Sequence, residues 1–159
     1  MKKFFFIVTA LFVLVSCEDQ VKFNNPALQG LKDNEIWRAT LITAVQSADG
    51  SLTIEAYLKN EILTLTTVST NVQSYPLGVN LYNRAFFYQK GSAENTTFST
   101  GIESGNGQIV ITEFDTVNHT ITGTFSFNAK NESEDPLAIS NVNFRQGVFY
   151  KVPITNVTK

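Results

Sequence analysis

The sequence predicts an all-β chain, a single antiparallel meander-type sandwich or barrel of about eight to nine strands, behind an N-terminal targeting segment. Three observations carry that expectation. From Glu35 onward the apolar residues recur with period two rather than 3.6. The gaps between the alternating runs are short, which favours sequential antiparallel pairing over crossover helices. No window supports a long amphipathic helix. At 159 residues one domain is the natural expectation, divided as a targeting segment at 1–16, a tether and entry segment at 17–34 and a β-rich globular domain at 35–159.

The leader comes first. Lys2 and Lys3 give a positive start, and Phe4 to Val15 is a 12-residue run broken only by Thr9. That run falls well short of the ~20 apolar residues needed to span a bilayer, so it reads as a signal peptide. It ends in Leu14-Val15-Ser16-Cys17, which resembles a bacterial lipobox. The resemblance implies a diacylglyceryl cysteine at Cys17, cleavage after Ser16 and palmitate-type acylation of the new amine. Two or three acyl chains, at ~0.8 kcal/mol per buried CH₂, would hold the protein on a membrane. The expected location is the cell envelope, lipid-anchored. Glu18 and Asp19 after the cysteine resemble the surface-export signal of Bacteroidota lipoproteins, which favours the outer membrane and allows surface exposure. In enterobacteria an aspartate directly after the cysteine means inner-membrane retention, so the side of the membrane depends on the host.

Glu18 to Asn34 is acidic at first and then carries Asn24-Asn25-Pro26 and Gly30, with Phe23 and Leu28 placed to dock on the domain. The first expected strand is Trp37 to Gln46. Asp49-Gly50, a hairpin turn in which glycine accepts positive φ, joins it to Ser51–Leu58, where Leu52, Ile54, Ala56 and Leu58 alternate with Thr53, Glu55 and Tyr57. Glu61–Thr70, Arg84–Gln89 and Thr96–Thr100 follow. Gln108–Phe114 and His119–Asn128 read as a hairpin turned by Asp115-Thr116-Val117-Asn118. Its second strand puts Ile121, Gly123, Phe125 and Phe127 on one face and Thr120, Thr122, Thr124 and Ser126 on the other. Asn143–Val152 completes the set. The nine Phe, five Tyr and one Trp that follow the leader are ample for one core.

Composition narrows the function. The net charge is −2, with no cluster of Lys and Arg, which disfavours nucleic acid as a partner. One cysteine and one histidine exclude disulfides, Cys/His zinc sites and Cys/His catalytic pairs within the chain. No cofactor is expected.

The runs Phe23-Asn24-Asn25-Pro26, Gln29-Gly30, Asp33-Asn34 and Trp37-Arg38-Ala39 open a pattern that continues through Gly107–Glu113, Ile121–Phe127 and Gly147–Pro153. It resembles an uncharacterised family of small lipoproteins of Bacteroidota, of the DUF6252 type, over nearly the whole mature chain. The resemblance implies location and fold class, and no catalytic residue.

Candidate chemistry is sparse. His119 beside Asp115 and Glu113 has the makings of a general base, but no motif places a nucleophile near it, and a solvated turn histidine is the simpler reading. Glu113 and Asp115, two apart on one strand, lack the cleft that glycosidase carboxylates flank. Asn131-Glu132-Ser133-Glu134-Asp135 lacks a calcium-loop pattern. The four Asn-x-Ser/Thr sequons follow from the Asn/Thr-rich composition. Asp115-Thr116-Val117 resembles the Asp-Ser/Thr-aliphatic acceptor of the Bacteroidota O-glycosylation system, which makes Thr116 a candidate for modification at a hairpin tip. The candidate ligand contacts are Trp37, Phe86, Phe87 and Tyr88, aromatics able to stack on sugars or line an apolar cavity. The expected function is therefore a membrane-anchored, non-catalytic binding or cell-envelope surface module, its partner a glycan, an apolar ligand or an envelope protein. The alternative is a small hydrolase whose cleft joins Glu55, Glu113 and His119. An enclosed cavity would favour ligand carriage, and a solid sandwich would favour protein or glycan contact.

Overall fold

The computed structural model describes residues 27–91, 94–133 and 138–156; the signal segment and Cys17 lie outside them. All regular structure among these residues is β: β1 (Ala27–Lys32), β2 (Glu35–Arg38), β3 (Leu41–Gln46), β4 (Leu52–Leu58), β5 (Glu61–Thr67), β6 (Ser74–Leu77), β7 (Arg84–Gln89), β8 (Thr96–Ser99), β9 (Asn106–Asp115), β10 (Thr120–Asn131) and β11 (Asn141–Asn156). No helix of the described residues is long and apolar enough to cross a membrane.

The strands form one sheet in the order β2-β1-β11-β3-β4-β5-β7-β8-β10-β9-β6, and β11 also pairs with β10. That extra pairing closes β3, β4, β5, β7, β8, β10 and β11 into a ring. Two of its joins are short. β11 meets β3 in parallel through Ile154, Thr155 and Asn156, and β8 meets β10 through Ser99 and Phe98 alone. These seams divide a flattened barrel into two leaves, β3-β4-β5-β7-β8 and β2-β1-β11-β10-β9-β6. The barrel and sandwich descriptions both fit, because the sheet closes but only narrowly.

The all-β expectation holds, with eleven strands where eight or nine were expected. The run Trp37–Gln46 is two strands, because neighbouring residues bond to opposite leaves. Ala39 N–H donates to Leu28 O and Thr40 N–H to Tyr57 O. β1 lies inside the expected entry segment, where Leu28 docks fully buried as expected, so the sheet begins before Glu35. β6 is a four-residue edge strand paired only with β9 and carrying Pro76, a residue tolerated at an edge because it need not donate to a ladder. The pairing is also less sequential than a meander: β1 pairs with β11, and β11 runs parallel to β3. Asp49-Gly50 makes its turn as expected, with Gly50 at φ +89° and Ser51 N–H donating to Asp49 Oδ1 over 3.0 Å.

β11 reaches three partners because two bulges bend it. Its inward residues are Val142, Phe144, Gly147, Phe149 and Val152, and the steps of three fall where Gln146 and Lys151 hold φ near +50°. Where Gly147 faces Phe125 across the ladder, a Cβ on the glycine would overlap the phenyl ring. The space between the leaves holds a cluster of rings. The Phe144 ring lies 5.7 Å from Trp37, 5.3 Å from Phe87 and 4.9 Å from Phe127, edge-on or offset as ring quadrupoles prefer. Phe87 belongs to the other leaf, so this cluster clamps the sandwich. The buried apolar core of the described residues runs from Leu28 to Val152.

Candidate functional site

Strands of the first leaf alternate cleanly, so their outer face can be read from register. Leu41 pairs with Tyr57, Tyr57 with Ile62, Ile62 with Tyr88 and Tyr88 with Thr97. One row across five strands therefore carries two tyrosines and two aliphatic side chains outward. Tyr57 and Tyr88 stand two strand spacings apart, ~10 Å. The next row is Thr43, Glu55, Thr64 and Phe86, and the one after it Val45, Thr53, Thr66 and Arg84. Tyr57, Ile62, Phe86 and Tyr88 are half-buried, as side chains lying along a sheet are, and Leu41 is exposed. Tyr57 Oη donates to Glu55 Oε2 over 2.6 Å, and that bond with the nearby carboxylate charge raises the phenol above its ordinary value of 10.0. The face is thus an aromatic strip bordered by hydroxyls, with one held carboxylate and one guanidinium.

A second feature sits where the leaves part. Glu61 is on the inward parity of β5, and its carboxylate takes the Lys32 ammonium on one oxygen and Trp37 Nε1–H on the other, the latter at 2.6 Å. Lys32 Nζ also lies 5.1 Å from the Phe87 ring centroid. Lys32 and Trp37 come from the β1–β2 hairpin and Glu61 from β5, so the trio clasps one leaf to the other. It floors a half-open pocket of about 330 Å³, rimmed by Glu35, Lys59 and Lys90. Every polar atom of the clasp has a partner, which marks it as structural.

The third feature is the β9–β10 hairpin. Asp115 Oδ1 accepts the N–H groups of Val117 and Asn118, both at 2.9 Å, and Oδ2 accepts Asn118 Nδ2 at 2.6 Å. These bonds, the Asn118 side chain first, hold the carboxyl below 3.8. Thr116 is exposed at the tip.

The family described as Domain of unknown function (DUF6252) matches residues 24–153. The chain belongs to that family. No curated protein and no solved structure matches it.

Within this DUF6252 domain the sequence-derived aromatics separate. Trp37 and Phe87 are core residues, 2% and 0% exposed, Trp37 lying at the floor of the pocket beside the clasp. Phe86 and Tyr88 face outward on β7. Tyr57 and Ile62 join them only through strand register; the visible signal was Tyr57 standing on the polar side of an otherwise regular strand. The residues of the hydrolase reading fall on different leaves, with Glu55 on β4 and Glu113 and His119 on the β9–β10 hairpin. His119 takes φ +51° in the turn, and its carbonyl accepts Ile154 N–H at 2.8 Å. Among the described residues no cluster of His, Cys, Asp and Glu could hold a metal ion. Glu134 and Asp135 lie outside the described residues.

Proposed function

We propose that this DUF6252 chain is a lipid-anchored, non-catalytic binding module of the bacterial cell envelope, and that its ligand is a glycan held on the outer face of the first leaf. The observation that carries the reading is the in-register row Leu41, Tyr57, Ile62, Tyr88, Thr97, with Phe86 beside it. Flat aromatic strips offer the apolar faces of sugar rings a stacking surface, while the bordering Thr43, Thr53, Thr64 and Thr66 hydroxyls supply donors and acceptors for sugar hydroxyls. The ring-filled interior favours surface contact over carriage of an apolar ligand. A catalytic reading is weaker, because Glu55 and the Glu113/His119 pair belong to different leaves. Anchoring is supported by Leu14-Val15-Ser16-Cys17 at the end of a short apolar leader, and an origin in Bacteroidota by Glu18 and Asp19 after it.

Affinity electrophoresis through gels containing soluble β-1,3-glucan, β-1,4-glucan or α-mannan tests the glycan reading. The expected result is retardation by at least one polysaccharide and its loss in the Tyr57→Ala/Tyr88→Ala double variant. Unretarded migration in all three gels, or retardation that survives the double substitution, would overturn it.

A further inference from the structure

Among the described residues, six of the twelve exposed large hydrophobic side chains crowd onto three loops that touch one another. Val68 (49% exposed) and Val72 (62%) lie between β5 and β6, Val79 (65%), Leu81 (58%) and Tyr82 (72%) between β6 and β7, and Ile102 (61%) between β8 and β9. The loops are bonded into one unit. Asn83 Oδ1 accepts Val68 N–H at 3.1 Å, and Gly78 O accepts Glu103 N–H at 3.1 Å. Six exposed apolar side chains on three bonded loops make a concentrated apolar display, which needs an explanation.

We infer that these three loops insert into a neutral lipid surface, with Val72, Val79, Leu81, Tyr82 and Ile102 as the inserting tips. Charge is the first argument. Val68 to Asn83 contains no charged residue, and Glu103 is the sole charge on Thr100–Gly105. Entry into lipid therefore strips water from almost no ion, and nothing on the loops selects an anionic headgroup. Backbone satisfaction is the second. Asn80 Oδ1 accepts the N–H groups of Tyr82 and Asn83 at 3.0 and 2.9 Å, Asn71 O accepts Tyr75 Oη–H at 2.8 Å, and Ser69 O accepts Thr67 Oγ1–H at 2.7 Å. Loop backbone enters a lipid environment only when its polar groups are bonded within the protein. Those four backbone groups, the N–H of Tyr82 and Asn83 and the carbonyls of Asn71 and Ser69, are thus bonded within the protein in advance. Tyr82, apolar in body and polar at the tip, suits the headgroup level.

The tether permits it. Gly105 packs on Ala129 at the far end of β10, whereas Ala27 pairs with Tyr150, beside Thr122 near the start of β10. Those positions are ~20 Å apart along the strand. The ten residues from Cys17 to Pro26 reach at most ~35 Å, enough for the loops and the acyl chains to share one bilayer. In that respect the inference rests on the anchoring proposed above, but the insertion is a property of the loops and is testable without any acyl chain.

The test uses residues 18–159, which contain the whole described core and lack both leader and Cys17, mixed with phosphatidylcholine/phosphatidylethanolamine vesicles. Co-sedimentation is expected, unchanged by about 0.5 M salt because no screened charge pair is involved. Leu81→Asp and Ile102→Asp should each lower the partition coefficient roughly tenfold without altering the circular dichroism spectrum. In Leu81→Trp, brominated lipid should quench emission beyond that of Trp37 alone. Wild type left in the supernatant would overturn the inference, as would salt-sensitive binding that survives Leu81→Asp, or self-association abolished by Leu81→Asp with no vesicle binding. Palmitate labelling at Cys17 reports separately on the anchor, so failure of one leaves the other readable.

Discussion

Phe149 covers Gly123 across the β10–β11 ladder so closely that no Cβ fits on the glycine without overlapping the ring. Two positions along, Phe125 covers Gly147 in the same way. The pairing is reciprocal: each strand lends the other a ring and receives a bare backbone for it to lie on. Gly123→Val should therefore cost about 3 kcal/mol, the overpacking penalty together with a displaced core ring. Urea denaturation checks it as a lower midpoint at unchanged slope; Gly50→Ala, where a Cβ meets open space at φ +89°, should cost ~1 kcal/mol.

The clasp between Lys32, Trp37 and Glu61 should resolve into two terms. Glu61→Gln keeps an acceptor for Trp37 Nε1–H while removing the charge that balances Lys32, at about 1 kcal/mol. Glu61→Leu orphans both partners, at ~3 kcal/mol. Unfolding followed by Trp37 fluorescence gives both numbers, and Lys32→Met should recover part of the loss in either variant.

Tyr57 should ionise late. Glu55 stabilises its protonated form, so the Tyr57–Glu55 bond is fully present below the ordinary phenol value of 10.0 and is lost as pH rises through the higher folded value. Absorbance titration of wild type against Glu55→Gln should show one tyrosine returning to the normal range. A curve unchanged by the substitution would remove Glu55 as the cause.

The β9–β10 tip has the opposite sign. Asp115 is held below 3.8 by bonds from Asn118 and Val117, so its contribution is present above that value and is lost as pH falls through the lower folded one. Relative to the intrinsic exchange rate, amide protection at Val117 and Asn118 should fall at acid pH while that of Ile111 is kept. At the same tip we expect Thr116 to carry a glycan in the native host. Intact mass settles this: wild type and Thr116→Ala that differ by the side-chain mass alone would refute it.

Lipidation of Cys17 predicts a mature chain beginning at that cysteine, labelled by palmitate and unlabelled in Cys17→Ser. A mature N-terminus elsewhere would contradict it.

The strands legible in sequence are those with one face to solvent and no irregularity. β4, β5, β7 and β10 alternate without interruption, so hydrophobic parity alone located them. β11 was read as one strand, but its course was hidden, because the bulges at Gln146 and Lys151 make its inward steps alternate between two and three. β1 and β6 present too few inward residues to register as a pattern. The aromatic strip was half visible for a related reason. Parity separates Phe86 and Tyr88 from Phe87, but only cross-strand register brings Tyr57 and Ile62 beside them, and register is a property of pairs of strands. For Trp37 the sequence shows its place beside Arg38 but not the bond of its indole N–H to Glu61 across the leaves, because that bond depends on how the β1–β2 hairpin meets β5.

The pairing of β1 with β11 sets an order of events during biogenesis. A chain threaded through a membrane pore N-terminus first delivers Ala27–Lys32 early, and until the final stretch emerges that segment has only the short β2 to bond. Neither the β11–β3 seam nor the Phe144 cluster can form before then. Closure of the ring therefore waits for β11, while the pairings among β3, β4, β5, β7 and β8 and the β9–β10 hairpin do not.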